Sequence, residues 1–257
     1  MRYLHLALLL FAAWSAVLLA GEPANLVVNG TLDAGEPYPE HWERANGLSS
    51  FFVLEEGRGR VVKLDSRLEK EQARAFAMAF TKDHSLVPPA PKILPLNSYA
   101  TIGAFDGVAL DSELIPAIPG QWYMLSADVK GPGAPIVWIK GQFFVRERQF
   151  DGYQTRLIAH ANSKGWSRTA IAFNPTEKSP KVTHFKVRLF AYWPNGVYFF
   201  DNLQVRPINA EELAIFKAAR EKSGALRLAI DPANPQGPAM LPVPGAACWG
   251  VVHPQQR

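Results

Sequence analysis

Short apolar–polar alternation bounded by Gly, Pro and Asn recurs along most of the chain, which is the pattern of many short β-strands. It predicts strands at Asn25–Val28, Ser50–Leu54, Arg60–Leu64, Arg74–Phe80, Ala100–Phe105, Ala109–Ile115, Trp122–Lys130, Ile136–Arg146, Gln154–Ala159, Ser167–Phe173, Thr183–Tyr192 and Val197–Arg206. None alternates with a long helical pattern, so the expected architecture is all-β, two packed antiparallel sheets rather than βαβ units. Pro88, Pro89, Pro91 and Pro95 mark a long surface loop. One helix is expected near the end, within residues 208–224. Asn209 is its N-cap, and Glu212, three residues on, completes a capping-box pattern. Leu213, Phe216 and Ala219 share one face, and Gly224 supplies the stop. That narrow apolar stripe packs either on the sandwich or on a partner. Residues 225–257 carry Pro232, Pro235, Pro238, Pro242 and Pro244, which break regular structure and leave an extended tail.

The first twenty residues read as an address. After Arg2, Leu6 to Ala20 is an almost unbroken apolar run. Its length of about fifteen residues matches a signal-peptide core and falls short of the roughly 20 needed to span a bilayer. Cleavage after Ala20 is expected, giving a secreted or periplasmic protein; an uncleaved leader gives an N-terminal membrane anchor instead. No second long apolar segment follows, so no internal membrane span is expected. The remainder is long enough for one β-sandwich domain. Cys248 is the single cysteine, so an intramolecular disulfide framework is excluded and this thiol is free or pairs between chains. The formal charge is +4 with no Lys/Arg block, which argues against nucleic acid as the partner.

Two segments carry a family resemblance. Asn25-Leu26-Val27-Val28-Asn29-Gly30-Thr31-Leu32-Asp33, followed by Pro39 and Trp42, resembles the opening of jelly-roll carbohydrate-binding modules of families four, nine, sixteen and twenty-two. Gly196 to Val205, reading GVYFFDNLQV, resembles their last strand. Between them, Gly120 to Lys130 and the pair Trp166–Phe173 and Phe185–Tyr192 resemble the central and late strands. The resemblance covers about residues 25–207 and implies a galactose-binding-domain-like jelly-roll sandwich. It also implies a structural calcium, with Asp33 and Asp201 at the positions where the family supplies carboxylates. Such an ion needs six to eight oxygens, so loop carbonyls would complete its shell. The alternative is that Asp201 accepts local hydrogen bonds and Asp33 is solvated. Asn29-Gly30-Thr31 also matches a glycosylation acceptor, which has no meaning in a bacterial chain.

A sugar-binding sheet face needs flat rings for pyranose stacking and polar groups of fixed direction on one parity of its strands. In Ile136–Arg146 the odd positions Val137, Ile139, Gly141, Phe143 and Val145 read as core, and Trp138, Lys140, Gln142, Phe144 and Arg146 as the opposite face. In Thr183–Tyr192, Phe185, Val187, Leu189 and Ala191 point inward, leaving Lys186, Arg188, Phe190 and Tyr192 outward. The candidate carbohydrate-binding residues are therefore Trp138, Lys140, Gln142, Arg188 and Tyr192. Trp193 rims this face or packs under its turn; Trp122 and Trp166 read as core or strand-start residues.

Catalytic signatures are absent from the sequence. No two of the six histidines have zinc-pair spacing, and no nucleophile-elbow, P-loop or dinucleotide fingerprint occurs. Asp83-His84-Ser85 are adjacent in one loop and cannot form a triad. Acids such as Glu55, Glu56, Glu69 and Glu71 mark no hydrolytic pair. The expected function is non-catalytic, exported carbohydrate binding. The alternative is an extracytoplasmic structural or protein-interaction sandwich without a sugar, using the C-terminal helix and tail for assembly. A small hydrolase on the same scaffold ranks last.

Overall fold

The computed structural model describes residues 24–223 and 227–228, apart from 49–51, 56, 89, 91, 93, 96, 134 and 159–164. The apolar leader, Cys248 and the tail prolines lie outside the described residues. Among the described residues twelve strands form two six-stranded antiparallel sheets of a jelly-roll sandwich. The strands are β1 (Trp42–Arg44), β2 (Phe52–Glu55), β3 (Gly59–Asp65), β4 (Val108–Ser112), β5 (Ile115–Pro116) and β6 (Trp122–Lys130) in the first half. The second half adds β7 (Ile136–Val145), β8 (Arg148–Ile158), β9 (Ser167–Phe173), β10 (His184–Ala191), β11 (Val197–Ile208) and β12 (Arg227–Leu228). One sheet runs β1-β4-β10-β7-β8, with β5 continuing β4 alongside β10; the other runs β12-β9-β6-β11-β3-β2.

The alternation read from the sequence decides which side chains meet between the sheets. Val137 and Ile139 of β7 and Phe185, Val187, Leu189 and Ala191 of β10 are fully buried against Tyr123, Leu125, Ala127 and Val129 of β6 and Tyr198 and Phe200 of β11. Each large apolar side chain so buried contributes about 1.5–3 kcal/mol. β11 shifts register between Asp201 and Gln204, with Asn202 at φ 49°, and this bulge returns Leu203 and Val205 to the core. Trp42 is buried at one end of the same core.

Three expected strands are not strands. Residues Lys70–Phe80 form helix α1, because Glu69 accepts from the Gln72 amide at 2.9 Å as N-cap. Ala73, Phe76, Ala77 and Phe80 then turn one helical face inward. Ile102–Ala104 is a short 3₁₀ turn whose Gly103 sits too close to the Tyr192 and Ser66 carbonyls to carry a side chain. Asn25–Val28 runs beside β11 on isolated hydrogen bonds, Leu26 N–H to Val205 O at 2.7 Å and Asn25 Nδ2 to Leu203 O at 2.8 Å. The C-terminal helix α2 (Ala210–Ser223) has the expected reciprocal cap: Glu212 N–H donates to Asn209 Oδ1 at 2.9 Å and Asn209 N–H to Glu212 Oε2 at 3.1 Å. Its Phe216, Leu213 and Ala219 pack on Met124, Ala170 and Ile208, so the apolar stripe covers the outer face of the second sheet. Among the described residues no helix is long and apolar enough to cross a membrane.

Candidate functional site

Among the described residues no helix covers the outer face of the first sheet, and strand registry decides what that face presents. One row crosses five strands: Glu43 of β1 lies opposite Asp111 of β4, Asp111 opposite Arg188 of β10, Arg188 opposite Trp138 of β7, and Trp138 opposite Arg156 of β8. The next row sets Lys186, Lys140 and Gln154 side by side, and the next His184, Gln142 and Asp151. Trp138, Lys140, Gln142 and Arg188 are thus brought together on neighbouring strands. Tyr192 stands one residue past the end of β10, stacked on Phe190 with ring centroids 5.6 Å apart. Trp193 stacks instead with exposed Tyr99, at 4.9 Å. The core positions expected at Phe143 and Val145 need correcting: Phe143 is half-buried and stacked on Phe150 with ring centroids 5.6 Å apart, and Val145 is 50% exposed beside the β7–β8 turn.

A buried carboxylate organises the middle of the face. Asp111 is 1% exposed, and it accepts from Arg188 Nε at 2.6 Å and Nη2 at 2.8 Å while Lys186 Nζ lies 2.5 Å away. The fork geometry fixes the guanidinium plane, and the Asp111 hydrogen bonds raise the Arg188 pKa above its ordinary value. Lys140 Nζ reaches a neutral acceptor, Gln154 Oε1, at 2.6 Å. Burial, then the nearby Arg188 charge, push its pKa down.

At the β4 end the face deepens into a groove. The ladder breaks at Glu113 and Leu114, between β4 and β5, where Ser112 Oγ fills in by accepting the Val187 N–H at 2.9 Å. The break opens a concavity of about 390 Å³ whose wall includes His41, Glu43, Glu113, Gln142, Gln149 and Lys186. His41 Nδ1 and Glu113 Oε1 pair across its mouth at 2.9 Å. Gln142 is only 3% exposed; its Nε2 donates to Asp151 Oδ1 at 3.3 Å, and its Oε1 has no hydrogen-bond partner. A buried acceptor left unpaired costs about 1–3 kcal/mol. Glu43 and Glu113 are both exposed, and neither is buried as the general acid of glycoside hydrolysis is.

The sequence reading picked out Gln142 and missed most of the groove. His41 and Glu43 come from a segment at and beside β1 and Glu113 from the break between β4 and β5, and only folding brings them to β7. Asp111, a charge directly after the apolar run Val108–Leu110, is a sequence signal for the ion pairs in the middle of the face rather than for the groove.

The two residues expected to hold calcium do not fit that ion. Asp33 is exposed, whereas Asp201 is fully buried and its Oδ2 accepts from Arg58 Nε at 2.9 Å. Arg58 also pairs with Asp128, whose Oδ1 accepts from Arg168 Nε at 2.6 Å. Asp201 Oδ1 accepts the Asn202 N–H at 2.7 Å. A guanidinium already lies against the buried carboxylate, where a second cation would be repelled. Among the described residues no three His, Cys, Asp or Glu side chains are grouped to hold a metal. Burial pushes Asp201 up to about 6 despite Arg58.

No protein-family model and no curated protein matches the chain. Among solved structures it is similar to a family 16 carbohydrate-binding module at 14% identity and a TM-score of 0.42, over 70% of this chain and 99% of that one. It is similar to the CBM22-1 xylan-binding domain from Paenibacillus barcinonensis Xyn10C at 11% identity and a TM-score of 0.43, over 74% and 99%. It is also similar to part of the arabinose-bound α-L-arabinofuranosidase MgGH51, at 12% identity and 0.44, over 75% of this chain and 28% of that enzyme. At these identities and scores nothing about ligand or activity transfers to this chain.

Proposed function

We propose that this chain is a non-catalytic, exported carbohydrate-binding protein that holds an oligo- or polysaccharide on the outer face of the β1-β4-β10-β7-β8 sheet. The observation that carries this reading is the buried, unpaired Oε1 of Gln142 in the wall of the groove, on the face that bears Trp138. A sugar hydroxyl both donates and accepts. It would donate to Gln142 Oε1, and other hydroxyls would meet Glu43, Gln149 and Lys186. The half-buried indole of Trp138, on the same strand β7, offers an apolar plane to a pyranose face. The ion pairs at Asp111 hold Lys186 and Arg188 in place beforehand, which lowers the ordering cost of binding. Export rests on the apolar run Leu6–Ala20. No calcium is assigned a role at Asp33 and Asp201.

A second reading has its own observation. Phe144, Val145 and Phe150 at the β7–β8 hairpin tip are 42%, 50% and 44% exposed, an apolar patch suited to a protein contact in a structural sandwich. Binding of the mature chain to a polysaccharide array, with and without chelator, separates the two. Retention on a glycan that is lost in Trp138→Ala and Gln142→Ala variants of unchanged circular dichroism supports sugar binding. Failure to bind any glycan, or binding unaffected by both variants, refutes the assigned site.

A further inference from the structure

Positive charge gathers around Trp138, and part of it has no ion-pair partner among the described residues. Arg188 and Arg156 flank it on the two adjoining strands, and Lys140 follows two residues along its own. The Lys140 ammonium lies 5.2 Å and the Arg156 guanidinium 5.3 Å from the indole centroid. Arg188 and Lys186 share the single carboxylate of Asp111. Among the described residues Lys140 and Arg156 have no carboxylate within ion-pair distance. Lys186 lies directly opposite Lys140, a like-charge cross-strand pair that a sheet ordinarily avoids. Of the acidic side chains of the face, Glu43, Asp111 and Glu113 stand toward β1 and β4, and Asp151 of β8 stands opposite Gln142, outside ion-pair distance of Lys140 and Arg156, so the part of β7–β8 around Trp138 is the positive one. The Lys140 pKa is lowered by burial first and then by Arg188, with Asp151 and Asp111 opposing, which agrees with a net positive field there.

We propose, resting on the sugar-binding reading above, that the glycan recognised here is acidic, with a carboxylate or ester sulfate of a residue at Trp138 received between Lys140 and Arg156. A neutral sugar needs hydroxyl partners and an apolar plane, which Gln142 and Trp138 already supply. It gives no return for setting unpaired cations side by side. An anion does, because it relieves the repulsion between Lys140 and Lys186 and forms charge-assisted hydrogen bonds with Lys140 and Arg156.

The test is affinity electrophoresis of the mature chain in gels containing polygalacturonate, dextran sulfate, dextran or neutral xylan, beside a Lys140→Gln/Arg156→Gln variant. Both substitutions sit at non-core positions, and thermal melting checks that the fold is kept. The expected result is retardation by polygalacturonate or dextran sulfate well beyond that by dextran or xylan. The double variant should bind about tenfold more weakly, on the scale of charge-assisted contacts, and binding should fall at about 0.5 M salt. Which of the two acidic gels retards the chain more distinguishes carboxylate from sulfate. Equal retardation by neutral and acidic glycans, or acidic binding unchanged in the double variant, overturns the acidic-glycan proposal and leaves sugar binding standing. Inorganic polyphosphate competing as well as free polygalacturonate overturns it too, since the face would then bind any polyanion. No retardation in any gel overturns the sugar-binding reading itself.

Discussion

Replacing Gln142 by Met should make the protein more stable and its glycan binding weaker. The native side chain is 3% exposed and holds an amide oxygen with no partner, at a cost of about 1–3 kcal/mol. Its one hydrogen bond, Nε2 to Asp151 Oδ1 at 3.3 Å, is long and is worth roughly 0.5–1 kcal/mol. Asp151 is exposed, so water takes over that acceptor when the amide is removed. Met matches glutamine in length and flexibility, so little packing is lost. The net expectation is a gain of about 1 kcal/mol in urea unfolding, with a melting temperature higher by about 2–4 °C. Loss of the acceptor in the groove should weaken glycan binding by about tenfold or more. A Gln142→Met variant that is destabilised by about 1 kcal/mol or more would show that the amide oxygen is satisfied in the folded protein. The reasoning for a ligand-ready acceptor would then fail.

Three further outcomes follow from the second sheet and the helix it carries. Asp201 has a folded pKa near 6 against an ordinary 3.8, so the folded state favours its protonated form. Its contribution to stability is full below the ordinary carboxylate range and is lost as pH rises through 6. Relative to Asp201→Asn, the wild type should gain about 1 kcal/mol between pH 7 and pH 5 in chemical unfolding, and an equal pH dependence of the two proteins would contradict this. Arg58→Gln leaves the buried Asp201 carboxylate without its counter-ion, while Asp128 keeps Arg168, and should cost about 3–5 kcal/mol, whereas chelator should leave the wild-type melting temperature unchanged; a calcium-dependent melt would refute the assignment of Arg58 as the counter-ion. Asn209→Ala removes one half of the reciprocal cap of α2 and should cost about 1 kcal/mol in thermal unfolding without altering glycan binding.

The sheets were legible because inward and outward positions on β7 and β10 contrast sharply, so period-two alternation identified both the core and the Trp138 face. Trp122–Lys130 and Ser167–Phe173 coincide with β6 and β9 for the same reason. The stretch Arg74–Phe80 misled because its regular alanines mimic alternation, while Ala73, Phe76, Ala77 and Phe80 fit a helical face equally well and Glu69 supplies the cap. Asn25–Val28 has the composition of a strand, but Asn29 and Leu32 at positive φ turn the chain before a ladder can form. Two features depended on long-range registry and left no local trace. The groove needs β4 to break between β1 and β10, and the Arg58–Asp201 pair joins residues 143 positions apart.

The most direct test of sugar binding on this face is a ¹H–¹⁵N titration of the mature chain with oligosaccharides of the glycan most strongly retained in the gels. Shifts concentrated on the Trp138 indole N–H, the Gln142 side-chain amide and the backbone of β7 and β10 are the predicted result. Shifts confined to the hairpin tip, to α2 or to the second sheet would contradict the account.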